Sequence, residues 1–182
     1  SDFQKNFEEL NIIPMSISYE YEPCDILKAR ENVISSKQKY VKAEGEDLNS
    51  IIVGIQQPKG NVHLNIGQPL TSEEIAQAAL CDKNDRYQWI RHAVDKRVIE
   101  GYRLWKNNYV AYDLLNQSDK YAHMYEPVDV ESFTAYMQKQ LDTVEPELDR
   151  DELRKAFLDI YANPVVTREL LEKEKSTGEI CL

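Results

Sequence analysis

The sequence is short of the residues from which most recognisable sites are built. It has three cysteines in 182 residues, Cys24, Cys81 and Cys181. Their number is odd, they lie far apart and no CxxC occurs, which suits a reduced, cytosolic chain better than a disulfide framework. Cys181 is penultimate, not fourth from the end, so it does not make a prenylation signal. Of the three histidines, His63, His92 and His123, no two stand four apart, and no zinc centre is expected from them. The six glycines do not cluster: Gly54, Gly60 and Gly67 are isolated, so there is neither a phosphate-cradling loop nor a GxSxG elbow. No apolar run approaches the roughly 20 residues of a membrane span. The longest candidate, Ile12 to Ile17, is interrupted by Pro14 and Ser16. Residues Ser1 to Lys5 carry no basic-then-apolar pattern, and no signal peptide is expected there. A basic surplus is missing too. Lys and Arg number 22 against 32 Asp and Glu, for a net charge of −10, which argues against a nucleic-acid partner.

What is present is a globular composition, with 42% hydrophobic and 30% charged residues. Apolar residues run the length of the chain, so it has material for a core and is not globally disordered. Phe3, Phe7 and Leu10 mark a short helix. Ile13, Met15, Ile17, Tyr19 and Tyr21 alternate with Pro14, Ser16, Ser18 and Glu20, which is the period of a strand. Asp25 is placed to cap a helix continuing through Ile26, Leu27, Ala29, Arg30 and Val33, with a polar hinge from Ser35 to Tyr40. A second helix is expected over 46–56 on the stripe Leu48, Ile51, Ile52 and Ile55. Val62, Leu64 and Ile66 alternate with His63 and Asn65 in a second strand. Some forty residues holding helices separate the two strands, which suggests a crossover within one sheet.

After Pro69 the pattern is helical. Thr71 with Glu74 reads as a capping box. The longest helix is expected over 84–105, burying Tyr87, Ile90, Val94, Val98, Gly101 and Trp105, with Asn107 and Asn108 as a break. Two further stripes follow, Val130–Phe133–Met137–Leu141–Val144 and Leu153–Phe157–Ile160. Asn163-Pro164 reads as a cap and new helix start. From Glu126 on, fourteen acidic residues face seven basic ones, so −7 of the charge lies there. The expected organisation is an α/β unit over 1–115 and a solvated acidic helical extension over 116–182, fraying from Glu172.

Candidate chemistry is thin. His92 and Asp95 share a helix face, but such a pair more often stabilises a helix than serves a substrate. Glu100-Gly101-Tyr102-Arg103 imitates an anion-binding turn, yet lies within a helical stripe, where Gly101 better explains close helix packing. The acidic run Glu145, Glu147, Asp149, Asp151 and Glu152 lacks the glycine of a calcium loop and suits a helix start. The eleven tyrosines suit the edges of a core.

One stretch says more. Leu10 to Asp25, with Ile12, Ile13, Pro14, Met15 and Ser16 at its centre, resembles the fourth conserved block of the phospholipid/glycerol acyltransferase family, which includes the lysophosphatidic-acid acyltransferases. Tyr19-Glu-Tyr-Glu-Pro-Cys-Asp25, Gly60 to Leu70 and Asn108 to Leu115 resemble a bacterial branch of that family in the same order. The resemblance implies a helix-rich α/β fold, with a mixed or parallel sheet, crossover helices and a helical C-terminal extension. It also implies transfer of a fatty acyl group from acyl-CoA or acyl-carrier protein to a glycerophosphate-type hydroxyl. Those carriers would be co-substrates; no cofactor or metal is implied.

The departures are as informative. The family signature is His, four residues, Asp, with the His as general base. Here His63, His92 and His123 are followed five residues later by Gln68, Arg97 and Val128. No block resembling Glu-Gly-Thr-Arg, whose Arg binds the glycerophosphate in the family, precedes Pro14. The chain therefore reads as the C-terminal half of such an enzyme, with no catalytic residue of its own and inactive alone. Pro14 and Ser16 are carried over as substrate-pocket wall. The partners implied are a missing N-terminal half, or a second copy in a dimer, with the acyl donor and a lysophospholipid bound by the intact protein. That protein is expected in the cytoplasm, peripheral at the inner face of the membrane. The alternative is a non-enzymatic helical interaction module or a degenerate acyltransferase-like protein.

Overall fold

A computed structural model describes residues 2–177. Cys181 and the end of the expected fraying tail lie outside the described residues. The order of elements is α1 (Asp2–Leu10), β1 (Met15–Tyr19), α2 (Asp25–Lys37), α3 (Glu46–Gln56), β2 (Val62–Ile66), α4 (Ser72–Leu80), α5 (Asp85–Gly101), α6 (Lys106–Asn116), a 3-10 turn (Ala122–Met124), α7 (Pro127–Leu141) and α8 (Arg150–Thr177). The chain groups into two compact units. Among the described residues, one comprises 2–18, 63–103 and 167–177; the other comprises 19–62 and 104–166.

The expected mixed or parallel sheet with crossover helices is overturned. β1 and β2 form a two-stranded, open, antiparallel sheet within a largely helical protein. Gly67 N–H donates to the Pro14 carbonyl at 2.9 Å and Glu20 N–H to the Asn61 carbonyl at 2.9 Å, so residue numbers rise along one strand as they fall along the other. The forty intervening residues bring the chain back to the same edge by way of α2 and α3. A long connection permits a parallel neighbour but does not require one.

In the first unit, α1 packs on α4, and α4 on α5. The small core is Leu70, Ile75, Ala78, Ile90 and Ala93, with Phe3, Phe7, Ile12, Trp89 and Val94 against it. The capping box at α4 forms as its sequence predicts: Glu74 N–H donates to Thr71 Oγ1 at 3.2 Å, and Thr71 N–H to Glu74 Oε2 at 2.8 Å. α5 stops at Gly101, four residues short of the expected end, and Tyr87 on its expected inner face is 55% exposed.

The second unit holds the larger core, with Ile26, Ala29 and Val33 of α2 meeting Val110, Phe133, Met137, Leu153, Phe157 and Tyr161. Spacing of three and four residues puts each set on one helix face. Ser35, Ser36 and Lys37 continue α2 instead of forming a hinge. Asn107 and Asn108 do not break the chain but open α6. Trp105 N–H donates to Asn108 Oδ1 at 2.7 Å, and both asparagine amides donate to main-chain carbonyls, Asn107 to Glu20 at 2.7 Å and Asn108 to Tyr161 at 2.9 Å. Pro164 does not start a helix; α8 runs through it for 28 residues. The start of α8 holds the acidic run: Asp149 accepts from the N–H groups of Asp151 and Glu152, and Glu145 is bound by Arg30.

Candidate functional site

The sheet is built inside out. In β1 the serines at 16 and 18 are buried, while Met15 and Ile17 are 54% and 46% exposed. β2 repeats the inversion, with His63 and Asn65 half-buried and Leu64 and Ile66 exposed. The alternation legible in the sequence therefore fixes two faces, but the apolar one meets solvent. The register follows from the two hydrogen bonds at its ends, 14 with 67 and 20 with 61. It sets Ser16 opposite Asn65 and Ile17 opposite Leu64. With Ile13, also exposed, the bare face of this unit comprises Ile13, Met15, Ile17, Leu64 and Ile66. Their exposed area is on the order of 500 Å², at the upper end of the largest patch a typical monomer leaves bare.

The polar face is covered by the end of α5. A Cβ at Gly101 would lie 2.8 Å from Ser16 Oγ, and it would overlap Asn65 Nδ2 outright. The reading of Gly101 as a close-packing glycine holds, with a strand as the neighbour. The hydroxyls of Ser16 and Ser18 are buried with no hydrogen-bond partner among the described residues. An open depression of about 420 Å³ at the end of α5 is lined by Asn65, Gly67, Gln68, Lys96 and Arg97. Arg97 is already bound there, to both Glu74 oxygens at 2.7 and 2.8 Å and to the Gln68 carbonyl at 3.1 Å. Burial pushes the Glu74 carboxyl up, but the Thr71 N–H and the Arg97 guanidinium outweigh it and hold the group below its ordinary 4.5.

Of the two residues carried over as pocket wall, Pro14 is buried where β1 begins, its carbonyl accepting from Gly67, and Ser16 is buried against Gly101. The histidines are not brought together. His92 pairs with Glu174 at 2.8 Å, not with Asp95, whose partner is Arg91; His63 is half-buried in β2, and His123 is exposed. No group of three or more His, Cys, Asp or Glu residues is placed to hold a metal among the described residues.

Two features escaped the sequence reading. The first is Asp25, expected as a helix cap and found 0% exposed. One oxygen accepts from the Tyr136 and Tyr161 hydroxyls, each at 2.7 Å; the other accepts from Ile26 N–H at 2.7 Å and Gln57 Nε2 at 3.1 Å. Burial, and then the Asp25 charge, raises both tyrosine hydroxyls well above their ordinary 10.0. The cap position itself is Cys24, in the left-handed region at φ 61°. The string Glu22-Pro-Cys-Asp25 was the available signal, since a proline two before an acid suggests a fixed turn. The second is α3, formed where expected but with its stripe reversed: Leu48, Ile51, Ile52 and Ile55 are exposed, and Ser50 and Gly54 turn inward. Gly54 packs close to the Cys24 sulfur.

No protein-family model matches the chain, and no curated protein or solved structure matches it.

Proposed function

We propose that this chain is the C-terminal portion of an acyltransferase that moves a fatty acyl group from acyl-CoA or acyl-carrier protein to a glycerophosphate-type hydroxyl. The observation that carries the reading is the bare apolar face at Ile13, Met15 and Ile17. It lies in the very stretch that resembles the family's fourth block, and a strand with its serines buried and its aliphatics in water lacks a covering layer. The missing catalytic half supplies that layer, and with it the His-four-Asp base and the phosphate-binding Arg. In this portion Pro14 and Ser16 contribute to the wall of the substrate site. The intact enzyme works in the cytoplasm, peripheral to the membrane, in keeping with the absence of a helix long and apolar enough to cross a membrane among the described residues.

Acyl transfer measured with acyl-CoA or acyl-carrier protein and lysophosphatidic acid tests the reading. The chain alone should show no turnover, since a positioned general base is worth about 10²–10⁴-fold. Mixed with a polypeptide from the same gene that carries the His-four-Asp signature, it should turn over. Turnover by the chain alone within about tenfold of a typical 10 s⁻¹, or a gene that encodes no such polypeptide, would refute it. The second reading, a non-enzymatic interaction module, is favoured by the exposed stripe of α3, a second apolar surface. Stable capture of a partner with no acyl transfer would support it.

A further inference from the structure

The main-chain edge of β1 is as bare as its face. In the register fixed by Pro14 with Gly67 and Glu20 with Asn61, even-numbered residues of β1 direct their N–H and C=O groups to β2. Odd-numbered residues direct theirs away, and the main-chain groups of Met15 and Ile17 have no partner among the described residues. Proteins ordinarily guard such an edge with charge, a bulge or a proline facing outward. Here no charged residue occurs from Asn11 to Tyr19. The one proline, Pro14, falls in the even set, so its missing N–H is lost toward β2 and leaves the outer edge open. Four residues, Ile13, Met15, Ile17 and Tyr19, thus offer donors and acceptors outward. The opposite edge, on β2, offers three and begins after the left-handed turn at Gly60, φ 61°.

We infer that the outer edge of β1 is a docking site for an extended, uncharged segment of a partner polypeptide with apolar residues at alternate positions, which adds as a third strand and continues over the bare face. The uncharged edge fits an uncharged strand, and alternation places the partner's apolar side chains beside Met15 and Ile17 on one face. A second copy of this chain meets only half the need. Two β1 edges paired about a two-fold axis would merge two bare faces into one patch of twice the size. Two faces packed together would cover about 1,000 Å² in all, the lower limit for a specific interface, and leave both edges unpaired. A segment that pairs with the edge and then turns over the face satisfies both. In the reading above the catalytic half supplies it, and the inference rests on that reading for the partner's identity.

Amide exchange of the isotope-labelled chain, read by NMR with and without the His-four-Asp polypeptide, tests this. The Met15 and Ile17 amides should exchange freely in the chain alone and slow by about a hundredfold or more in the mixture, as a paired strand requires. Ile17→Pro removes an outward N–H without touching the β2 ladder and should weaken association by about tenfold or more. Ile17→Lys places a charge at the same edge and serves where the proline variant does not fold. Slowing at Val62, Leu64 and Ile66 instead, association with Met15 and Ile17 still exchanging, or no association overturns the inference. Acyl transfer in the same mixture separates the two proposals. Transfer without protection leaves the enzyme reading standing and the docking edge refuted; protection without transfer does the reverse.

Discussion

Gly101 of α5 lies against Asn65 of β2 so closely that even a methyl group at Gly101 would overlap the asparagine amide. The contact explains why a helix can sit on the polar face of a strand pair: the helix end presents no side chain, and Ser16 and Asn65 fill the space. Gly101→Ala tests it. In an open helix the change stabilises by up to about 1 kcal/mol. Here overpacking should reverse the sign and destabilise by about 1–3 kcal/mol in urea unfolding. Asn65→Ser, which shortens the obstructing side chain, should recover part of the loss in the double variant. A stabilised Gly101→Ala would mean that the strand yields freely.

Asp25 ties the start of α2 to α7 and α8 through Tyr136 and Tyr161, and among the described residues no cation joins the cluster. The carboxyl group is held by hydrogen bonds alone, so deleting it removes the acceptor of the Tyr136 and Tyr161 hydroxyl protons and of Ile26 N–H. Asp25→Ala should cost on the order of 4 kcal/mol and threaten folding of the second unit. Tyr161→Phe keeps the ring in the Phe133–Phe157 cluster but loses the bonds to Asp25 and from Glu22 N–H, and should cost about 2 kcal/mol. Thermal unfolding of the tyrosine variant against the native chain gives the measurement. A loss well under 1 kcal/mol would show that water replaces the hydroxyl.

The elements were largely legible because their signals are local. The capping box at Thr71, the stripe Phe133–Met137–Leu141 and the alternation around Ile17 each follow from side-chain period and short-range bonds. What was not legible depends on what lies across from an element. Period divides β1 and α3 into two faces but does not say which face the rest of the chain covers, so the α3 stripe at Ile51, read as the helix's packing face, stands in solvent. The crossover expected from the forty-residue connection, in a mixed or parallel sheet, failed because the length of a connection does not fix the direction in which the strand returns. Asp25 was read by its position before an apolar run, and only the return of α7 and α8 turns it into a buried acceptor. At Pro164 the local rule predicted a boundary, but Tyr161, Ala162 and Val165 are all buried on one side of α8, and that packing outweighs the hydrogen bond the proline removes.

Acid should loosen the protein from the carboxylate side. Glu74 is held below its ordinary 4.5 against the opposing pull of burial, and Glu145 below the same value by the hydrogen bond from Arg30. A carboxyl whose pKa is lowered by folding stabilises the folded state fully above its unfolded value. That stability is lost as pH falls through the folded value. The midpoint of thermal unfolding should therefore fall as pH drops from about 4.5 toward 3. Glu74→Gln should be less stable at neutral pH but show a shallower fall over that window. An identical acid limb in the variant would mean that the Glu74–Arg97 pair contributes nothing to it.

Alkali acts through the tyrosines. Burial first, and then the Asp25 charge, raises Tyr161 and Tyr136 above 10.0, and burial with the Asp113 hydrogen bond raises Tyr125 to about 12. A raised pKa gives stability that is complete below the unfolded value and disappears as pH rises through the folded one. Unfolding should begin above pH about 10 and release tyrosinate cooperatively, visible as a step in near-ultraviolet absorbance. In Tyr161→Phe the step should shrink and move to lower pH. A gradual titration of all tyrosines, with no step, would place these hydroxyls in contact with water.

The bare face of the sheet should govern how the chain behaves without a partner. Ile13, Met15 and Ile17 stand in a row on β1, and Ile17 lies opposite Leu64 on the same face. Water is excluded from such a surface by whatever apolar surface is at hand, and in a purified sample that is another copy. The chain should self-associate at high micromolar concentration in sedimentation equilibrium, with weak affinity because a face-to-face pair reaches only the lower limit of interface size. Met15→Glu should abolish the association. Since Met15 is already 54% exposed, the same change should alter stability by no more than about 0.5 kcal/mol. That pairing of outcomes separates a surface waiting for a partner from one already buried. If Met15→Glu left association unchanged, the pair would form elsewhere, with the stripe of Leu48, Ile51, Ile52 and Ile55 the next surface to change. If Met15→Glu instead unfolded the chain, Met15 would belong to the core and the sheet would not be inside out.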